Sequence, residues 1–196
     1  MSAKLISVIG PPASGKTTLA EHLAAELPAG MIREDYEGNP FLADSYVGPD
    51  EARLPAQLWY LLSRVRQLSA ASWPADGLLV SDYGFCQDRI YALARLSAEE
   101  IGAYEAVHER LARRVHGPEL LIALDASPQT LLDRIARRGR DFEKVMTADF
   151  LSAMRRAYNG VVASASCGVL TVNCDEVDFH QAGCRARLIE EIRRKL

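Results

Sequence analysis

A chain of 196 residues, 48% hydrophobic and 25% charged, can bury a sizeable core and reads as one domain over 1–196, which excludes a disordered or fibrous class. A net charge of −3 excludes the basic face that long nucleic acid requires, and the apolar run in residues 1–10 is too short to cross a bilayer. A soluble, cytoplasmic protein with no nucleic-acid or membrane partner is the expectation, and its four cysteines, Cys86, Cys167, Cys174 and Cys184, lack the spacing of a zinc site or a disulfide framework.

Short apolar runs alternate with longer helical patterns along the chain, which is the sign of βα units carrying a parallel sheet. The first strand spans Lys4 to Ile9 and runs into Gly10-Pro11-Pro12-Ala13-Ser14-Gly15-Lys16-Thr17. That string fits GxxxxGK[ST] between a strand and a helix, the setting its mechanism demands. Its glycines let successive backbone N–H groups face phosphate oxygens, and the helix behind adds its positive end. Lys16 then neutralises the terminal phosphates and Thr17 offers a hydroxyl to Mg²⁺. Pro28 and Gly30 close this first helix, and a short strand follows over 30–33.

A long helix is predicted from about Pro55 to Ser72, where Leu58, Leu61, Leu62, Val65 and Leu68 recur at helical spacing before Pro74. Gln57 and Arg64, seven apart, share one of its faces. A third strand covers Gly77 to Ser81, and a helix runs from Ala98 to His116 behind the capping-box pair Ser97 and Glu100. The fourth strand is Glu119 to Leu124. Ser127 and Pro128 then start a helix that Gly139 breaks, Thr147 starts another to about Ala165, the fifth strand is Gly168 to Val172, and His180 to Leu196 holds the last helix. The strand runs do not alternate, as expected when helices cover both faces of a sheet. His22, His108, His116 and His180 have no catalytic companion in the sequence.

Arg134, Arg137, Arg138 and Arg140 crowd the end of the helix that Gly139 breaks. Permanently charged planar forks suit a moving phosphoryl group, and the glycine permits a flap, so residues 134–146 are expected to form a lid over ATP. The guanine-reading NKxD string of GTPases is absent.

In order and spacing these blocks resemble the deoxynucleoside kinase family, in its bacterial deoxyadenosine and deoxycytidine kinase branch. The resemblance rests on the phosphate loop, Arg33-Glu34-Asp35-Tyr36, Asn39-Pro40-Phe41-Leu42 leading to Tyr46, Gln57 through Arg64, Ser81-Asp82-Tyr83 through Asp88-Arg89, and Arg134 to Glu143. It implies an α/β three-layer P-loop fold, a five-stranded parallel sheet wrapped by helices with an arginine-rich lid, and ATP-dependent phosphorylation of a deoxynucleoside 5′-hydroxyl. ATP is implied to meet Gly10, Pro12, Ala13, Ser14, Gly15, Lys16, Thr17, Thr18, Arg134 and Arg138, with Asp178 and Phe179 in the loop beside adenine. Mg²⁺ falls to Thr17 and Asp82. The catalytic set is Glu34 as proton acceptor, with Asp35 as the neighbouring alternative, plus Lys16, Arg138, Arg140 and Arg89. The substrate set is Glu34, Tyr46, Gln57, Arg64, Asp88 and Glu143, in which Gln57 meets the base edge, Arg64 and Asp88 pair behind the base, and Tyr46 and Glu143 hold the 3′-hydroxyl. The family often dimerises through helices, and the segments from Pro55 and Ala98 would permit a homodimer.

One position departs from the family pattern: Tyr83 stands where an arginine is expected after Asp82, and Gly84 where a serine is. Arg89 or Arg137 is the candidate replacement for that cation. Two other readings remain open at this point. The acceptor is another small molecule such as a nucleoside monophosphate, for which only Arg53, Arg64 and Arg66 occur between the second and third strands, or the chain is a nucleotide-binding regulatory module without turnover.

Overall fold

The computed structural model describes residues 3–179 and 181–196. Five strands, β1 (Lys4–Ile9), β2 (Ala29–Ile32), β3 (Leu78–Ser81), β4 (Leu120–Asp125) and β5 (Gly168–Asn173), form one sheet in the order β2-β3-β1-β4-β5. Every pairing is parallel, with Lys4 opposite Leu78 and Ile6 opposite Leu120 on the two sides of β1. Because β1 is central, only Lys4 of its residues is exposed, which is why its apolar run does not alternate.

Helices cover the two faces. On one, Ile6, Val8, Ile122 and Leu124 pack against Leu19 and Leu23 of α1 (Lys16–Glu26) and against Leu188, Ile189 and Ile192 of α8 (Ala182–Arg193). On the other, Ile9, Leu121 and Ala123 meet Ile90 of α4 (Cys86–Arg95) and Met154 and Tyr158 of α7 (Ala148–Ala163). A satellite core joins α3 (Arg53–Gln67), α4 and α5 (Ala98–Ala112) through Leu61, Val65, Ala92 and Tyr104. The remaining helices are α2 (Leu42–Val47) and α6 (Pro128–Arg138). No helix among the described residues is long and apolar enough to cross a membrane, and the four cysteines are unbonded.

The local signals act as their chemistry dictates. Ser97 Oγ accepts the Glu100 amide at 3.3 Å while Glu100 Oε2 accepts the Ser97 amide at 2.8 Å, a complete capping box. Gly139 ends α6 in the left-handed region at φ 71°. Several expectations need correction. The helix expected to reach Ser72 ends at Gln67 and leaves a separate 3₁₀ turn at Ala70–Ser72, while α5 stops at Ala112, four residues short of His116. His116 instead gives its amide to Leu68 O at 2.9 Å, so a contact with another element wins over continuing the helix. The proposed start of the last helix, His180, lies outside the described residues, and α2 and α4 are additions to the expected elements.

Parallel strands place their carboxyl ends on one edge. Gly10 after β1, Glu34 after β2 and Asp82 after β3 are therefore neighbours, and the Asp82 amide donates to Ile32 O at 3.2 Å across that edge. Gly10 is obligatory here, since a Cβ would lie 2.6 Å from Leu124 O and its φ is +150°.

Candidate active site

The loop from Gly10 to Gly15 wraps the N-terminus of α1, which carries no side-chain cap, so its first N–H groups open toward the loop's mouth. Lys16 folds back, and its Nζ donates to Gly10 O at 3.0 Å and Pro11 O at 2.9 Å. Burial pulls this ammonium down to about 8 against the opposing pull of Glu34 and Asp82. The Thr17 hydroxyl donates to Asp82 Oδ2 at 2.7 Å, and Asp82 Oδ1 accepts the Glu34 amide at 2.7 Å. Burial raises the Asp82 carboxyl above its ordinary value, and the Thr17 hydrogen bond works against that. An oxygen pair of hydroxyl and carboxylate next to a phosphate loop is a donor set suited to Mg²⁺.

From this edge a cavity runs under α2, α3, α4 and the lid, and Lys16, Glu34, Tyr46, Gln57, Arg64, Asp82, Arg138, Arg140 and Glu143 all line it. Glu34 faces inward and accepts hydrogen bonds from Arg64 Nη2 and, at 3.0 Å, from Gln87 Nε2. Asp35 does not line the cavity. It is exposed and accepts the Gly38 amide at 3.0 Å, closing a turn, as neighbouring residues leaving a strand must point opposite ways.

Behind the cavity lies a buried charge cluster. Arg64 Nη1 donates to Asp88 Oδ2 at 2.8 Å, and Asp88, fully buried, also accepts from Tyr104 OH at 2.8 Å and Gln57 Nε2 at 2.7 Å. Gln57 Nε2 donates in addition to Asp88 O at 2.9 Å. Burial alone would lower the Arg64 guanidinium, but Glu34 and Asp88 outweigh it and raise its value well above the ordinary one. Its plane lies over the Tyr60 ring, 4.8 Å from the centroid. Removing one member of such a cluster would strand a buried charge.

The lid closes the far side. Glu143, in the 3₁₀ turn Asp141–Glu143, accepts from Arg138 Nε at 3.0 Å and Arg140 Nη1 at 3.4 Å, so its carboxylate ties both cations together. Phe142 meets Tyr46 with ring centroids 5.5 Å apart, and Arg140 lies 4.1 Å from the centre of the Tyr36 ring. These contacts lay the lid against α2 and the segment before it.

A separate groove on the other side of Lys16 is lined by Ala13, Gly15, Thr17, Thr18, Arg134, Arg137, Arg138, Asp178 and Phe179. Gly10, Pro12 and Ser14 complete the loop that divides groove from cavity, Pro12 standing on the cavity side. Arg134 does not point freely into the groove. Its Nη1 donates to Ser14 O at 3.1 Å and its Nη2 to Cys174 O at 2.8 Å, strapping the phosphate loop to the end of β5.

Arg89 is not brought to the site. Its side chain is 58% exposed and donates to Glu105 Oε1 at 2.7 Å. One residue along a helix is a rotation of about 100°, so the burial of Asp88 turns Arg89 outward. It neither contacts the cavity nor replaces the cation expected at Tyr83. Tyr83 itself is fully buried and donates to Gln67 Oε1 at 2.6 Å. Sequence reasoning misses Gln87, Tyr91, Arg95 and Phe142, which also line the cavity. Phe142 lies inside the lid string and is findable there, whereas Gln87, Tyr91 and Arg95 belong to the unexpected α4.

With this geometry in hand, comparison with known proteins is informative. The deoxynucleoside kinase family model matches residues 6–196. A deoxyguanosine kinase of Bacillus subtilis (strain 168) is 32% identical over 91% of this chain and 90% of its own. A deoxyadenosine kinase of Dictyostelium discoideum is 30% identical over 94% of this chain and 77% of its own. The fold superposes on the deoxyadenosine kinase of M. mycoides, solved with dCMP and dCDP, at a TM-score of 0.82 with 18% identity over 97% and 98% of the two chains. With the family model spanning nearly the whole chain and relatives of 30% identity or more covered over most of their length, the chain belongs to the deoxynucleoside kinase family.

Proposed function

We propose that the enzyme transfers the γ-phosphoryl group of ATP to the 5′-hydroxyl of a deoxynucleoside, with Glu34 as the proton acceptor. The observation that carries this reading is the position of the Glu34 carboxylate, which opens into the cavity between Lys16 and the Gln57–Arg64–Asp88 cluster. A nucleoside with its base toward that cluster brings its 5′-hydroxyl to Glu34 and its 3′-hydroxyl toward Tyr46 and Glu143. Glu34 takes the hydroxyl proton as the new O–P bond forms and the bond to the departing ADP breaks, so charge moves toward the β-phosphate, where Lys16 and the lid arginines neutralise it. Thr17 and Asp82 would hold Mg²⁺, which would supply charge neutralisation for the phosphates during transfer. The nucleotide groove is the place for ATP, with Asp178 and Phe179 at its adenine end.

A nucleoside monophosphate acceptor is disfavoured because Arg64 is already engaged by Glu34 and Asp88. The test is a panel of the common deoxynucleosides with ATP and Mg²⁺, run on wild type, Glu34→Gln and Asp35→Asn. Deoxynucleoside-dependent ADP release is expected from wild type and from Asp35→Asn, with a loss of roughly 10²- to 10⁴-fold in Glu34→Gln. Full turnover by Glu34→Gln would remove the proton-acceptor assignment.

A further inference from the structure

The Glu34 carboxylate is held through one oxygen. Its Oε1 accepts from both Arg64 Nη2 and Gln87 Nε2, and among the described residues no hydrogen bond is made to Oε2. The residue after Asp82 supplies nothing here, since the hydroxyl of Tyr83 is engaged by Gln67. Gln87 is 2% exposed, and its own amide oxygen is buried without a partner. A buried unpaired carbonyl is a cost to the fold that an apolar side chain of the same length would avoid. What the residue does contribute is one N–H, aimed at Glu34.

We propose that Gln87 is a positioning residue of the phosphotransfer site: with Arg64 it fixes Oε1 of Glu34, so that Oε2 is the oxygen presented to the acceptor hydroxyl. The proposal rests on the reading of Glu34 as proton acceptor. The terminal torsion of a glutamate is soft, and a single donor leaves the carboxylate free to swing. Arg64 is anchored at its other end by Asp88 and reaches Glu34 from α3, whereas Gln87 reaches it from α4. Two donors from two helices define the carboxylate plane.

The experiment is Gln87→Met, which keeps the length and removes the donor. Turnover is expected to fall roughly tenfold or more, with KM for deoxynucleoside and for ATP each within about twofold of wild type. Unchanged turnover, or a fall accompanied by rising KM, overturns the proposal. If Gln87→Met does not fold, Gln87→Asn, whose amide is one methylene too short to hold the contact, is measured in its place with the same outcomes expected. Glu34→Gln is measured alongside. Full activity there removes the proton-acceptor reading and this proposal together, whereas an inactive Glu34→Gln beside an unaffected Gln87→Met overturns the proposal alone.

Discussion

The Thr17 hydroxyl and the Asp82 carboxylate are in hydrogen-bond contact at 2.7 Å, although they come from α1 and from the end of β3, 65 residues apart. This pair sets a hydroxyl and a carboxylate side by side in the cavity that Lys16 also lines, and under the proposed reading these two groups would hold Mg²⁺. Asp82→Asn preserves the shape and the contact but removes a charge. The expected outcome is a Mg²⁺ requirement raised roughly tenfold or more, with the deoxynucleoside KM little changed. A Mg²⁺ titration of turnover at saturating substrates checks it, and an unmoved midpoint would refute the metal assignment.

The knot of Arg138, Arg140 and Glu143 predicts different behaviour for its members. Arg138→Ala and Arg140→Ala should each lower kcat by roughly 10²-fold while leaving deoxynucleoside affinity nearly intact, if, as proposed, they serve phosphate charge that develops during transfer. Glu143→Gln should weaken deoxynucleoside binding as well, since the proposed reading sets the nucleoside 3′-hydroxyl against that carboxylate. Equilibrium binding of the nucleoside without ATP, set beside kcat, separates these effects. An arginine variant that loses the nucleoside but keeps its turnover would place the cations elsewhere.

Lys16 leads to a prediction about stability and pH. Its ammonium is lowered from 10.5 to about 8 in the folded protein. The unfolded chain therefore binds more protons than the folded one between about 8 and 10.5, and the stability of the nucleotide-free protein rises with pH across that window. Lys16→Met abolishes the effect. The variant should be more stable than wild type at pH 7, on the order of 1 to 2 kcal/mol for a side chain that still reaches some solvent, with the difference shrinking toward pH 10.5. Denaturant unfolding of both proteins at the two ends of the window measures it. A constant difference would show that the lysine is not held against its charge.

How far the sequence is readable depends on whether the information is local. The phosphate loop is a contiguous string whose backbone geometry is dictated by its own glycines, and the central strands announce themselves as unbroken apolar runs. The charged string of the lid also lies within ten residues, from Arg134 to Glu143. By contrast, α4 hides its pattern, because Gln87 and Asp88 are polar residues at buried positions and so break the apolar period that marks a helix. Arg89 enters the expected catalytic set through the family resemblance, and only the packing of α4 on α3 decides which of Gln87, Asp88 and Arg89 turns inward. The six-residue α2 is too short to show a period at all. Arg134 is legible as a neighbour of the phosphate loop, but its two backbone carbonyl partners come from loops far apart in the chain and leave no trace in its local sequence.

The amide of Gln57 has a fixed handedness in its chemistry. Both hydrogens on Nε2 are taken by Asp88, through its backbone carbonyl and its carboxylate, and turning the amide over would set oxygen against oxygen. A side chain that in principle speaks both hydrogen-bonding languages is thereby left with one, an accepting oxygen. The floor of the cavity consequently has a built-in polarity that no rotation of a side chain can reverse without breaking the Asp88 cluster. A nucleobase docking there meets a question already phrased, and an N–H group at that edge is the answer that satisfies it.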